Sequence, residues 1–252
     1  MSNFHKYSAY YDLLYADKDY AAEADYVARA LGPARSVLEL GSGTGRHGRL
    51  LAERGFDVQG VELSPEMAAE AQSQGRVAAP SGAGSFACEV GDLRTFRAGR
   101  TFDAVISLFH VISYQTGNDD LSAAFRTAAD HLSPGGIFLF DVWHGPAVLA
   151  QQPERRTKQA ADAARRVRRT ATPTLDTNAS TVRVDYDVTC EDLATGETAR
   201  FGEEHLMRYL FPTEIGFLAA AAGFTQLASE EFLTSHPPSP DTWGVAYLLS
   251  KQ

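Results

Sequence analysis

The stretch Ser36–Gly45, SVLELGSGTG, decides the fold. Val37, Leu38 and Leu40 read as a buried strand that carries one acid, Glu39. The strand breaks into Gly41, Gly43 and Gly45, and helix-like sequence follows at once from Arg46 to Arg54. Glycine has no Cβ, so the chain can turn sharply there and its backbone can come close to a ligand. Strand, glycine-rich turn and helix in this order imply a nucleoside-bearing cofactor.

Strands and helices alternate outward from this point. FDVQGVEL (Phe56–Leu63) is a second strand ending in an acid, and Ser64-Pro65-Glu66 reads as a helix start with Ser as N-cap. SFACEV (Ser85–Val90) and FDAVISLF (Phe102–Phe109) are the third and fourth strands. Asn118-Asp119-Asp120 cap the helix LSAAFRTAADHL, and Pro134-Gly135-Gly136 lead into a fifth strand, IFLFDV. Near-continuous apolar strands separated by helices predict an α/β, doubly wound, mostly parallel sheet covered on both faces. After Val142 the pattern changes. Residues Gln151 to Arg169 are strongly basic and are expected to be helical or irregular. STVRVDYDVTC and ETARFGEEHLMRYLF then alternate polar and apolar residues around a Thr195-Gly196 turn, an antiparallel ribbon wet on one face. A helix over Thr213–Ala222 and two closing strands, Phe224–Leu233 and Trp243–Ser250, follow. The expected division is one unit made of residues 1–145 and 212–252, with 146–211 inserted as an antiparallel β cap over the substrate.

Composition narrows the function. The chain has 252 residues, 44% hydrophobic and 22% charged, the profile of an ordinary globular protein. A formal net charge of -9 argues against general nucleic-acid binding, which needs basic surface. The two cysteines, Cys88 and Cys190, form no disulfide framework and no zinc spacing, and no histidines stand at metal-ligand spacing. No metal is expected. The N-terminal residues lack a signal-peptide pattern and no apolar run is long enough to span a membrane, so a cytoplasmic location is expected.

Two cofactors compete for the glycine-rich turn. The dinucleotide fingerprint GxGxxG fits only at Gly43 to Gly48, late and running into the helix. The frame acid-x-Gly-x-Gly-x-Gly from Glu39 suits S-adenosylmethionine, which has no pyrophosphate to seat. Glu62, at the end of the second strand, is placed to accept both ribose hydroxyls. In Gly91-Asp92-Leu93, Asp92 can accept from the adenine amino group and Leu93 can cover the ring. Met67 reads equally well as core or as a contact to the adenosine, and Asp92 also suits a turn or a helix cap.

Taken together, these residues resemble the class I methyltransferases that use S-adenosylmethionine, from about Tyr7 to Val142 and more loosely in the closing strands. The resemblance implies a seven-stranded Rossmann-like methyltransferase sheet. It also implies cofactor contacts from Gly41, Gly43, Glu62, Leu63, Met67, Asp92, Leu93 and Leu108. The segment YYDLLYADKDYAAEA is similar to the leading segment of the aminosugar N,N-dimethyltransferases that act on nucleotide-linked deoxysugars. That likeness implies contacts from Tyr11 and Tyr20 to the methionine carboxylate; the other reading has both tyrosines packing an N-terminal helix on the sheet. Two departures stand out: Glu39-Leu-Gly-Ser-Gly replaces the family's frequent Asp-Val-Ala-Cys-Gly, and FDVWHGPAV replaces a Trp-Trp-Phe-Pro segment.

The acceptor pocket should open at the carboxyl ends of the strands, rimmed by Phe109–Tyr114 and Asp141–Gly145. His144 is the expected general base, because it follows a strand end directly, although it could also only shape the pocket. Tyr114 stands where the resemblance places a histidine or tyrosine near the acceptor nitrogen. Tyr7 belongs to a segment that can fold over the acceptor as a lid. His47, His131 and His236 read as surface residues. Seven basic residues between Arg155 and Arg169 form either a solvated face or a diphosphate site. The expected partner is a small-molecule acceptor, a nucleotide sugar or natural product methylated at nitrogen or oxygen, with a homodimer left open. An RNA or protein methyltransferase, or a silent cofactor-binding partner subunit, are the alternatives.

Overall fold

A computed structural model of the chain describes residues 8–73, 77–78 and 84–252. Five strands lie parallel in the order β4 (Ser85–Val90), β2 (Asp57–Glu62), β1 (Ser36–Leu40), β5 (Phe102–Ser107) and β6 (Leu132–His144). β12 (Gly244–Lys251) pairs antiparallel with β6, and β11 (Phe224–Glu231) pairs antiparallel with β12. These make the expected seven-stranded core. A two-residue strand, β3 (Val77–Ala78), adds to the β4 edge.

Alternation of side chains sorts the core into two layers. Leu38, Leu40, Val105, Phe138, Phe140, Val142 and Tyr247 face one apolar cluster, covered by α5 (Asn118–Asp130) and α7 (Pro212–Ala221). Val37, Ala104, Ile106, Leu139 and Ala246 face the other, beneath α2 (Tyr20–Leu31), α3 (Arg46–Glu53) and α4 (Pro65–Ser73). Across β1 and β5 both faces are dry, which is why they read as continuous apolar runs, whereas the edge strand β4 buries Phe86 and Cys88 and exposes the residue between them.

After β6 and the short α6 (Gly145–Gln151) comes an antiparallel ribbon. It consists of β7 (Arg156–Ala161), β8 (Arg165–Asp176), β9 (Thr181–Asp192) and β10 (Thr198–Leu210). β10 ends by pairing parallel to the end of β6, Tyr209 with Trp143 and Leu210 with His144, so the ribbon continues the main sheet. The first helix, α1 (Ser8–Leu14), docks on the ribbon, where Leu14 and Tyr10 pack against Val167, Val188 and Cys190.

Three expectations are corrected. Gln151 ends α6 and residues 152–155 are irregular, but from Arg156 the basic segment folds as the β7–β8 hairpin, in which Arg165, Val167 and Arg169 share one face of an extended strand. His47 is buried, with Nε2 2.6 Å from Glu23 Oε2. His131 is buried too, held by the Thr127 carbonyl at Nδ1 and by the Ala98 N–H at Nε2, while His236 is exposed. Tyr7 lies outside the described residues.

Candidate active site

A cavity of about 480 Å³ opens at the carboxyl ends of β1, β2, β4 and β5 and is roofed by the ribbon. All ten residues expected to hold the cofactor line it: Tyr11, Tyr20, Gly41, Gly43, Glu62, Leu63, Met67, Asp92, Leu93 and Leu108. They arrive from α1, α2 and α4, from the end of β2, and from the turns after β1, β4 and β5.

The glycine turn shapes one wall. Gly41 and Gly43 both sit in the left-handed region, at φ 79° and 57°. A Cβ at Gly41 would come within 2.5 Å of the Val111 side chain, whereas one at Gly43 would meet no protein atom within 4 Å. Glu62 braces the turn. Its carboxylate accepts from the Gly43 N–H and the Ser64 N–H, each at 2.8 Å. Each carboxylate oxygen keeps acceptor capacity beyond those bonds. Burial raises the Glu62 carboxyl above its ordinary value, against the opposing pull of the two N–H groups. Below the turn Glu39 is buried and accepts from Ser42 Oγ at 2.6 Å.

Asp92 sits half-buried at the end of β4, engaged by the Arg94 guanidinium and the Arg94 N–H. The guanidinium holds its carboxyl below the usual range. Met67 lines the cavity at 3% exposure, so the core and contact readings coincide. At the opposite end Thr44 Oγ1 donates to Asp12 at 2.8 Å, and Arg46 stacks over Tyr20 with Nε 3.5 Å from Asp12. Lys18 Nζ lies 2.6 Å from Glu23, which also holds His47. Burial opposes charge on Glu23, but His47 and Lys18 outweigh it and hold the carboxyl below its usual value.

The end of the cavity beneath the ribbon is aromatic. Tyr11, Tyr15, Tyr114 and Tyr186 line it together with His205, Met207, Val184 and Trp143. Tyr114 Oη stands 2.9 Å from His205 Nδ1, and His205 Nε2 lies 3.4 Å from Glu203. Burial pushes the Tyr114 phenol well above its usual value, so it is a neutral hydroxyl. Arg169 donates to Tyr15 Oη at 2.8 Å and stacks over Tyr186. Three of the seven basic residues pair with acids: Arg166 with Glu191, Lys158 with Asp17 and Arg165 with Asp162.

His144 does not line the cavity. It is 3% exposed, its Nδ1 has no hydrogen-bond partner, and burial lowers its pKa. His144 shares the side-chain parity of Phe138, Phe140 and Val142, which face the α5–α7 core, whereas Trp143 lines the cavity. The histidines that do reach the cavity are His47, His110 and His205. His110 follows β5 at φ 63°, after Phe109 at φ 65°. Its Nδ1 lies 2.7 Å from Oδ2 of the buried Asp141, and its N–H points to the same carboxylate at 3.2 Å. Asp141 shares the parity of Trp143, the signal in the sequence that could have pointed to His110. Tyr186 and His205 were legible only as alternate positions of a ribbon. No cluster of metal-ligating side chains occurs among the described residues.

Comparison with known proteins agrees with this geometry. The methyltransferase domain family matches residues 37–136. A dTDP-3-amino-3,4,6-trideoxy-alpha-D-glucopyranose N,N-dimethyltransferase of Streptomyces venezuelae is 32% identical over 221 residues, covering 84% of this chain and 87% of the relative. A dTDP-3-amino-3,6-dideoxy-alpha-D-glucopyranose N,N-dimethyltransferase of Streptomyces fradiae is 35% identical over 142 residues, 54% of this chain and 52% of the relative. Among solved structures, the sugar N-methyltransferase KedS8 of Streptoalloteichus superposes with a TM-score of 0.76 at 28% identity, covering 96% of this chain and 93% of that one. Streptomyces venezuelae DesVI superposes with a TM-score of 0.80 at 25% identity, over 98% and 99% of the two chains. This chain belongs to the class I methyltransferases that use S-adenosylmethionine, in the branch that contains those aminosugar enzymes. It is an enzyme, and S-adenosylmethionine is its methyl donor.

Proposed function

We propose that this methyltransferase acts on the amino nitrogen of a nucleotide-linked deoxysugar, adding two methyl groups in turn. The observation that supports this reading most is the ring of four tyrosines, Tyr11, Tyr15, Tyr114 and Tyr186, around the acceptor side of the cavity. Aromatic faces attract an ammonium by about 0.5–2 kcal/mol. The neutral Tyr114 hydroxyl, backed by His205, can hydrogen-bond the amine and orient its lone pair. The whole-length likeness to an aminosugar N,N-dimethyltransferase supports the same substrate class.

The cofactor side fits the donor. Gly43 leaves open space where its Cβ would stand, Glu62 has acceptor capacity for ribose hydroxyls, and Asp92 can accept from the adenine amine between Leu63 and Leu93. Tyr11 and Tyr20 are assigned to the methionine carboxylate, with Met67 and Leu108 walling the adenosine and the methionine. When bound, the sulfonium supplies an electrophilic methyl whose leaving group is neutral. The protein's part is alignment and exclusion of water, and alignment alone can supply about 7–11 kcal/mol.

The test is incubation with S-adenosylmethionine and a panel of nucleotide sugars that carry an amine or a hydroxyl at the same carbon. Mass spectrometry should show one and then two methyl groups on the amine and none on the hydroxyl analogue. Transfer to the hydroxyl analogue, or to none of the panel, would overturn the reading.

A further inference from the structure

The two residues after β5, Phe109 and His110, are both non-glycine and both left-handed, at φ 65° and 63°. Each such residue costs about 1–2 kcal/mol, and strain of this kind persists only where its surroundings enforce it. The enforcing group here is Asp141. It is 2% exposed and spends both carboxylate oxygens on one residue, close to the His110 N–H and to its Nδ1. The ring lies on the cavity wall beside Trp143, and a Cβ on Gly244 would press on its Cε1 at 3.2 Å. A buried carboxylate, a strained turn and a glycine together fix one imidazole in the cavity wall.

Resting on the aminosugar reading above, we propose that His110 is the base that takes the acceptor's proton before methyl transfer, with Asp141 as its positioning residue. An amine at neutral pH carries its lone pair as an N–H bond and cannot attack. The 2.7 Å contact of Nδ1 with the Asp141 carboxylate is an ion-pair contact rather than an aligned hydrogen bond, and a proton held on Nδ1 by that charge leaves the lone pair on Nε2. The ammonium N–H bond breaks and its proton passes to Nε2. The released pair then forms the N–C bond while the C–S bond breaks, and the sulfur departs as a neutral thioether. Asp141 stabilises the imidazolium until the proton leaves to water, and the cycle repeats for the second methyl. The other titratable groups around the pair are Lys18, set over the Phe109 ring, the Glu23–His47 pair from α2 and α3, and Tyr26. Lys18 and His110 hold the Asp141 carboxyl below its usual value although burial opposes this.

The test uses His110→Asn, since Asn tolerates the left-handed region, together with Asp141→Asn. Binding of S-adenosylhomocysteine by calorimetry shows that each variant keeps the fold and cofactor site. In His110→Asn, kcat/KM for the amine should fall about 10²–10⁴-fold at pH 7, with the deficit narrowing as pH rises and the acceptor deprotonates on its own. Added imidazole should restore part of the rate. Independently of activity, ¹⁵N spectra of the histidine rings should show the Nδ1–H tautomer at His110 in wild type and lose it in Asp141→Asn. Wild-type kcat/KM with an unchanged pH profile in His110→Asn, or an Nε2–H tautomer at His110, overturns the proposal. Failure of the wild-type enzyme to methylate any amine in the panel instead overturns the substrate assignment on which it rests.

Discussion

At the scale of single residues, Gly43 makes the sharpest prediction about the cofactor. Its backbone is left-handed and its missing Cβ faces open cavity, so Gly43→Val both strains the turn and fills ligand space. Calorimetry should show S-adenosylhomocysteine binding weakened tenfold or more in a protein that still folds; wild-type affinity would remove the cofactor assignment. Asp92→Asn is milder. It exchanges one acceptor and weakens the Arg94 pair, so cofactor affinity should drop about tenfold, the size of one hydrogen bond of about 1.5 kcal/mol. A large fall in melting temperature with unchanged affinity would show instead that Asp92 serves the turn. Gly41, Gly43, Glu62, Leu63, Asp92, Leu93 and Leu108 were legible because they stand at or just after strand ends that the apolar runs already marked, whereas Tyr11, Tyr20 and Met67 sit on helices and were reached through the resemblance. The proposed base, His110, was not, because place after a strand end points to His144 while side-chain parity turns His144 away from the cavity. Asp141 and Trp143 turn one way and His144 the other, so His144→Ala should leave turnover unchanged in a steady-state assay.

At the scale of elements, α1 is small but carries two cavity residues on or beside it, Tyr11 and Tyr15. Its anchor is Leu14, fully buried against Val167, Val188 and Cys190 of the ribbon. Removing a buried leucine side chain costs about 2–5 kcal/mol, more than a seven-residue helix can hold by itself. Leu14→Ala should therefore undock α1 without unfolding the sheet. Hydrogen exchange should rise over residues 8–14 alone, and cofactor affinity should fall with it. Protection unchanged in α1 would mean that other contacts seat the helix. The β7–β8 hairpin makes the opposite case. Arg166 and Arg168 flank Val167 on the opposite face while Arg165 and Arg169 share its face, so charge on both faces masks the strand period in the sequence. Arg166 and its partner Glu191 are exposed, so Arg166→Ser should change stability by less than about 1 kcal/mol in urea unfolding.

At the scale of the whole molecule, the parallel sheet was legible because its central strands β1 and β5 are dry on both faces and carry that in their composition. How the ribbon joins it was not, since the joint is only two residue pairs between β6 and β10. Nor does a strand pattern record that Glu39, an acid inside the first strand, is sealed under the cofactor turn. Burial pushes its carboxyl up to about 7, with Glu62 adding to the rise and Ser42 and Gly48 opposing it. In the unfolded chain the group ionises near 4.5. Between those two values the folded protein binds the proton more tightly, so stability falls as pH rises from about 4.5 to 7 and levels off above. The full effect is about 3 kcal/mol, at 1.36 kcal/mol per pK unit. His47 works the other way, because burial lowers its pKa and stability is gained as pH rises towards 6.5. A comparison that holds His47 constant isolates the acid. Glu39→Gln keeps the size of the side chain and cannot ionise, so its stability advantage over wild type should grow by about 2.5 kcal/mol between pH 5 and pH 8. Urea unfolding across that range measures it. Parallel curves for the two proteins would mean that Glu39 is ionised in the folded state and that the turn above it stabilises a buried charge.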